Sequence, residues 1–208
     1  MNVLVMGASG RVGRKVVALL QAGGHNVFAG TQHPHADLEI PALPVSMIDD
    51  LDTIKEALKG HDLDAIFQVA GSRGENLLQV DAYGAIKLEQ AAEELGIDRF
   101  IMLSSFNATE PSLWPEQLRD YYIAKFFADN WLIKETSLNY TILQPGFLTE
   151  EIGTGKITIN PTVMGANSID NVAATLVASL DEPATYRKVI TMADGDQEIA
   201  VALKNKLA

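Results

Sequence analysis

Asn2-Val3-Leu4-Val5-Met6-Gly7-Ala8-Ser9-Gly10-Arg11-Val12-Gly13 is the stretch that decides the fold. Five strand-forming residues run straight into three glycines spaced G-x-x-G-x-x-G, and an amphipathic helical pattern, Arg11–Ala22, follows at once. A glycine at the end of a strand allows a tight turn, the next lets backbone approach a ligand closely, and the third lets helix pack on strand. The helix then points its unpaired N–H groups and the positive end of its dipole toward the turn. That is an arrangement for a pyrophosphate, and the reading is a dinucleotide site at the first strand–helix junction.

Outward from this turn, apolar β-branched runs alternate with helical patterns, the signature of βαβ units and a parallel sheet. Strands are expected at Asn2–Met6, Asn26–Gly30, Leu43–Ser46, Ala65–Val69, Arg99–Leu103, Tyr140–Leu143 and Lys188–Met192. Helices are expected at Arg11–Ala22, Leu51–Leu58, Glu75–Leu95, Pro115–Glu135, Ser168–Leu180 and Gln197–Lys206. Ser168 or Asp170 caps one helix start, and Gly23-Gly24 and Gly96 mark helix stops. The pattern predicts an α/β fold, a doubly wound parallel sheet with helices on both faces, as a single NAD(P)-binding domain over 1–208. The stretch 147–167 breaks the rhythm with Gly153, Gly155, Pro161 and Gly165. It reads as a long loop with one small strand, Lys156–Asn160, and loops of that length are usually functional. A substrate-side lid is the expectation.

Bulk properties narrow the function classes. The chain has 208 residues, 47% of them hydrophobic, enough for one substantial core. No apolar run approaches the ~18 residues of a membrane span, and the opening strand leaves no signal peptide to expect ahead of it. With no cysteine, disulfides, thiol catalysis and zinc-thiolate sites are excluded, which fits a cytoplasmic setting. A net charge of −11 argues against nucleic acid as a partner, while backbone N–H groups still hold a cofactor phosphate. The expected partner is a small-molecule substrate, with no membrane, and the protein is a monomer or homodimer. His33 and His35 flank Pro34 without a third ligand at useful spacing, so no metal is expected there.

Several further stretches come in a recognisable order: Val69-Ala70-Gly71-Ser72 after the fourth strand, Val80-Asp81-Ala82-Tyr83-Gly84 on the next helix, Arg99–Ser105 along the fifth strand, Tyr121-Tyr122-Ile123-Ala124-Lys125, and Gln144-Pro145-Gly146. Together with the glycine turn they resemble the short-chain dehydrogenase/reductase superfamily, in its atypical, epimerase-like and NmrA-like branch. The resemblance spans nearly the whole chain. It implies an NAD(P)-dependent oxidoreductase or epimerase-like enzyme passing a hydride between nicotinamide and a small carbonyl or alcohol; the short part after Gly146 leaves little room for a nucleotide-sugar pocket, so a small carbonyl compound or quinone is expected over a nucleotide sugar. The resemblance also implies residue roles. Tyr121 of Y-x-x-x-K is the general acid/base. Lys125, one helical turn on, holds the nicotinamide ribose and favours the phenolate. Ser105, preferred here over Ser104, bonds the substrate oxygen. Gly7, Ser9, Gly10, Arg11, Val12 and Gly13 face the pyrophosphate, Ala70 and Gly71 flank the cofactor, and Pro145 and Gly146 meet the nicotinamide.

One departure from the family pattern bears on the cofactor. The residues after the second strand, Gly30-Thr31-Gln32-His33, lack the acid that bonds a ribose 2′-OH in NAD-selective members and the arginine of NADP-selective ones. With no acid to repel a 2′-phosphate, and Arg11, Thr31 and Gln32 nearby, NADP(H) is preferred and NAD(H) is the alternative. Tyr122 neighbours Tyr121 but has no lysine at the same offset. Trp114 is a candidate for the substrate pocket and Trp131 for the core. The rival reading is a nucleotide-sensing regulator without turnover; such proteins have lost the tyrosine, and Tyr121 with Lys125 favours the enzyme.

Overall fold

A computed structural model describes residues 1–31 and 38–207; Gln32, His33 and His35 lie outside the described residues. The parallel strands are β1 (Asn2–Met6), β2 (Asn26–Gly30), β3 (Ala42–Leu43), β4 (Ala65–Gln68), β5 (Arg99–Leu103) and β6 (Asn139–Pro145). Their successors are β7 (Phe147–Thr149), β8 (Lys156–Ile159), β9 (Ala166–Ser168), β10 (Lys188–Asp194) and β11 (Gln197–Glu198). One sheet runs β11-β8-β10-β6-β5-β4-β1-β2-β3. From β3 to β10 every neighbouring pair is parallel; β8 alone runs the other way, antiparallel to both β10 and β11. The strand order reverses between β1 and β4, which is where an open α/β sheet leaves a crevice at its carboxyl edge.

Period-two alternation explains the two cores. Val3 and Val5 face one side with Phe67 and Ile101, covered by α1 (Arg11–Ala22), and there they join α5 (Ile169–Ala178) and α6 (Ile199–Leu207). Leu4 and Met6 face the other with Ile66 and Phe100, covered by α2 (Leu51–Leu58), α3 (Tyr83–Leu95) and α4 (Arg119–Lys134). Strands buried on both faces read as continuous apolar runs. On α1 the buried stripe is Val12, Val16, Val17 and Leu20, each worth roughly 1.5–3 kcal/mol when fully buried. Ser168 caps α5 by accepting from the Asp170 N–H at 3.1 Å, and Gly96 ends α3 in the left-handed region with φ 72°.

Several boundaries differ from the sequence pattern: the strand expected at Leu43–Ser46 is Ala42–Leu43, and the helix expected from Gln197 is preceded by the short strand Gln197–Glu198 and runs Ile199–Leu207. The helix expected from Glu75 begins as a π-helical turn, Leu77–Ala82, before α3. This wider turn brings Asp81 inward, where it is 2% exposed; such turns cluster at functional sites. The helix expected from Pro115 opens with a 3₁₀ turn, Glu116–Leu118, whose N-cap is Pro115, and is α-helical only from Arg119; a further 3₁₀ turn, Pro111–Leu113, precedes it. The stretch 147–167 holds three strands rather than one: β7 pairs with β9, and β8 is built into the main sheet between β10 and β11. β7 and β9, three residues each, are too short to show a period. Their close approach needs a small residue, since a Cβ on Gly146 would stand 2.1 Å from the Gly165 carbonyl oxygen.

Candidate active site

At the carboxyl edge of β1, β4, β5 and β6 lies a cleft of about 400 Å³. Its floor at one end is the glycine turn. Gly7 takes φ +87°, and a Cβ there would meet the Ala70 nitrogen at 2.6 Å, so β1 and the turn after β4 touch backbone to backbone. Gly13 lies behind the turn, where a Cβ would fall 2.0 Å from the Gly7 carbonyl oxygen. Its part is packing rather than lining. Gly10 is the N-cap of α1 and has no side chain to satisfy the free N–H groups, and the first turn holds no acid. The positive helix end is therefore unneutralised and faces the cleft.

Most of the residues singled out in the sequence come together here. Gly7, Ser9, Gly10, Arg11, Val12, Ala70, Gly71, Ser105, Tyr121, Lys125, Pro145 and Gly146 all line the cleft. Thr31 does not; at the end of β2 its N–H donates to the Leu43 carbonyl at 3.0 Å. Arg11 reaches across to Glu150 at 2.8 Å, both side chains being largely exposed. Pairs of that kind are worth about 0–1 kcal/mol, so a cofactor phosphate can compete for the guanidinium.

At the other end, Tyr121 and Lys125 share one face of α4, with the lysine Nζ 5.9 Å from the Tyr121 ring centre. Lys125 is nearly buried. Its ammonium sits 3.7 Å from Asp81 Oδ1 and donates to the Leu103 carbonyl at 3.4 Å. Asp81 in turn accepts from the Ser72 N–H at 3.0 Å and from its hydroxyl, so the π-helical turn holds the lysine from below. The two serines after β5 diverge. The Ser104 hydroxyl is committed inward, donating to Asp129 Oδ2 at 2.8 Å. Ser105 is half-buried on the cleft wall, and its hydroxyl shares a hydrogen bond with that of Tyr122.

Sequence reading missed several of these residues. Asp81 had a signal in its Val80-Asp81-x-x-Gly84 setting, but not the role of partner to Lys125. Arg73, also on the cleft wall, sits in the left-handed region at φ 57° beside Gly74. Tyr122 is no idle neighbour: it is 2% exposed, and burial pushes its phenol up, against the Ser105 bond. Trp114 does not line the cleft. Its indole N–H donates to the carbonyls of Asn107 at 3.2 Å and Ala108 at 3.1 Å. Its ring packs on Tyr122 and Phe126, so it braces the loop after β5 against α4. Trp131 is only half-buried.

Beneath the tyrosine–lysine end lies a buried acidic set. Asp129 is fully buried, and its carboxyl is pushed up to about 6 by burial, with the Ser104 and Gln144 hydrogen bonds and the Lys125 charge pulling the other way. Glu89, also fully buried, is raised well above the usual carboxylate range by burial and by Asp129.

Known proteins resemble the chain over nearly its whole length. A Bacillus subtilis protein named as an uncharacterized sugar epimerase, YhfK, is 38% identical, with 98% of this chain and 99% of that protein covered. The crystal structure of the oxidoreductase ylbE from Lactococcus lactis superimposes with a TM-score of 0.93 at 40% identity, covering 100% of this chain and 97% of that one. ChuY, an anaerobilin reductase from Escherichia coli, shares the fold at a TM-score of 0.79 and 24% identity, over 94% of this chain and 98% of its own. The NAD(P)H-binding family profile matches residues 7–183, from the first glycine of the turn to the end of α5 and just beyond, and the chain belongs to that family, in its atypical short-chain dehydrogenase/reductase, epimerase-like branch.

Proposed function

We propose that this protein is an NAD(P)-dependent oxidoreductase acting on a small carbonyl or alcohol substrate, with NADP(H) preferred. The observation that carries the reading is that the glycine turn and the Ser105–Tyr121–Lys125 set line one continuous cleft. When bound, the nicotinamide supplies or accepts the hydride at the substrate carbon. The chain's residues handle the rest. The α1 N-terminus and the backbone of Gly10, Arg11 and Val12 hold the pyrophosphate, and Lys125 holds the nicotinamide ribose. Ser105 hydrogen-bonds the substrate oxygen. The Tyr121 phenol donates its proton to that oxygen during reduction and takes it back during oxidation, so charge balances against the hydride.

The segment 147–167, whose Leu148 lines the cleft, serves as a cover on the substrate side. A relative named as a sugar epimerase favours testing oxidation followed by reduction at one carbon, which the same three side chains would serve. The test is NADPH and NADH consumption across aldehydes, ketones, quinones and nucleotide sugars, followed at the nicotinamide absorbance. Turnover with at least one class is expected. Tight NADPH binding with no turnover in any class would replace this reading with that of a nucleotide sensor.

A further inference from the structure

Asp129 stands on α4 one helical turn beyond Lys125 and does not itself line the cleft. Its Oδ2 accepts two hydrogen bonds, from the Ser104 hydroxyl at 2.8 Å and from the Gln144 amide Nε2 at 2.8 Å. Ser104 directly follows β5 and immediately precedes Ser105. Gln144 belongs to β6 and immediately precedes Pro145 and Gly146. One carboxyl therefore clamps the ends of the two strands that deliver the substrate-side serine and the wall expected to face the nicotinamide. The clamp is costly to build. Asp129 Oδ1, Gln144 Oε1 and both oxygens of Glu89 on α3 are buried without a hydrogen-bond partner among the described residues. Buried acceptors left unsatisfied are destabilising, so a set of this kind at the rim of a functional cleft points to geometry being held for use rather than for stability.

We propose that Asp129 is a positioning residue for the nicotinamide end of the site, acting by accepting hydrogen bonds from Ser104 and Gln144 and so fixing the ends of β5 and β6. The inference rests on the cofactor reading above. It predicts a loss confined to one end of the cofactor: the glycine turn does not depend on Asp129, while the β5 and β6 ends do.

The test compares Asp129→Asn, which keeps an acceptor oxygen of the same reach, with Asp129→Leu, which keeps the bulk and removes it. NADPH affinity reports mainly the phosphate end. The fluorescence enhancement of the bound reduced nicotinamide, together with turnover on any active carbonyl, reports the other. Asp129→Leu is expected to bind NADPH nearly as well as the parent protein, to lose at least half of the nicotinamide enhancement, and to turn over about tenfold more slowly, the size of one lost hydrogen bond to a charged group. Asp129→Asn should restore the enhancement. Should Asp129→Leu fail to fold, Ser104→Ala removes one of the two donors and is expected to show the same pattern at smaller size. An Asp129→Leu protein with its nicotinamide held as in the parent overturns the inference, and so does an Asp129→Asn protein as impaired as the leucine variant. A parent protein that binds neither NADPH nor NADH overturns the cofactor reading and this inference with it.

Discussion

One end of the cleft is made by seven consecutive residues, Gly7–Gly13, in which backbone conformation does the work. The other end draws Ser105 from the loop after β5, Tyr121 and Lys125 from α4, and Pro145 from β6, with Asp81 and Asp129 behind them. The glycine end tolerates almost no side chain: Cβ atoms at Gly7 and Gly13 would strike backbone at 2.6 Å and 2.0 Å. The tyrosine end tolerates side chains of many kinds but depends on their partners. The first is a shape that local sequence dictates. The second is an assembly that exists only once three layers have packed.

Substitutions should separate the two ends. The largest effect is expected from Tyr121→Phe, which should reduce turnover by ~10²–10⁴-fold, the usual contribution of general acid/base catalysis, and leave NADPH affinity intact. Lys125→Met should impair both if, as proposed, the ammonium holds the ribose. Tyr122→Phe frees Ser105 of one hydrogen bond and should cost no more than about tenfold. Steady-state kinetics beside calorimetric titration reads all three. Near-full turnover in Tyr121→Phe would remove the catalytic end from the comparison altogether.

Gly10→Val tests the other end. A Cβ at Gly10 meets only the Gly7 carbonyl oxygen, at 3.2 Å, so the fold should survive, whereas the branched side chain fills the space proposed for the pyrophosphate. Loss of two charge-assisted hydrogen bonds at about 1.5–3 kcal/mol each corresponds to a fall in NADPH affinity of at least ~10²-fold. Undiminished binding by a folded Gly10→Val protein would rule out this turn as the phosphate site.

A smaller effect is expected for Arg11→Ala. The guanidinium must leave Glu150, a bond worth little at that exposure, to reach a 2′-phosphate, so the preference for NADPH over NADH should shrink by about tenfold. A preference for NADH in the parent protein would reverse the cofactor assignment.

The smallest effect lies beneath the tyrosine end. Glu89 is a buried carboxyl whose oxygens have no partner among the described residues, so Glu89→Leu should stabilise the fold by about 1–3 kcal/mol, or several degrees in Tm. The sign with pH follows from its raised folded value. The folded state holds the proton longer than the unfolded chain, so stability is greatest at acid pH and declines as pH rises above the unfolded carboxyl value. The gain from Glu89→Leu should therefore be larger at pH 8 than at pH 5 in thermal melts. A gain independent of pH would mean that Glu89 is not held protonated.

Legibility in the sequence follows the same division. β1, the glycine turn, α1 and the cap at Ser168 could be read directly, because alternation, spacing and capping are local properties. Tyr121, Lys125 and Ser105 were placed in one cleft through their order along the chain, not their spacing. Asp129 and Glu89 could not be read. In Ala128-Asp129-Asn130 and Leu88-Glu89-Gln90 a carboxylate beside an apolar residue looks like an ordinary solvent face, and only the packing of α3 on α4 buries it. The π-helical turn at Leu77–Ala82 was hidden for a related reason, since its residues suit an α-helix equally well.

The strand β8 gives the segment 147–167 a mechanical character of its own. Hydrogen-bonded on both edges, with Ile157 and Ile159 at 0% and 2% exposure, it is stitched into the sheet and cannot swing outward without breaking the ladder. The backbone beside it is pinned too, with the Gly153 N–H on Asp170 at 3.1 Å and the Gly155 N–H on Asn171 at 2.9 Å. The most exposed points of the segment are Ile152, 90% exposed, and Val163, 74% exposed. If the segment covers the substrate as proposed, it does so as a fixed wall rather than a swinging door, and the size of molecule admitted is limited by the stiffness of the sheet itself.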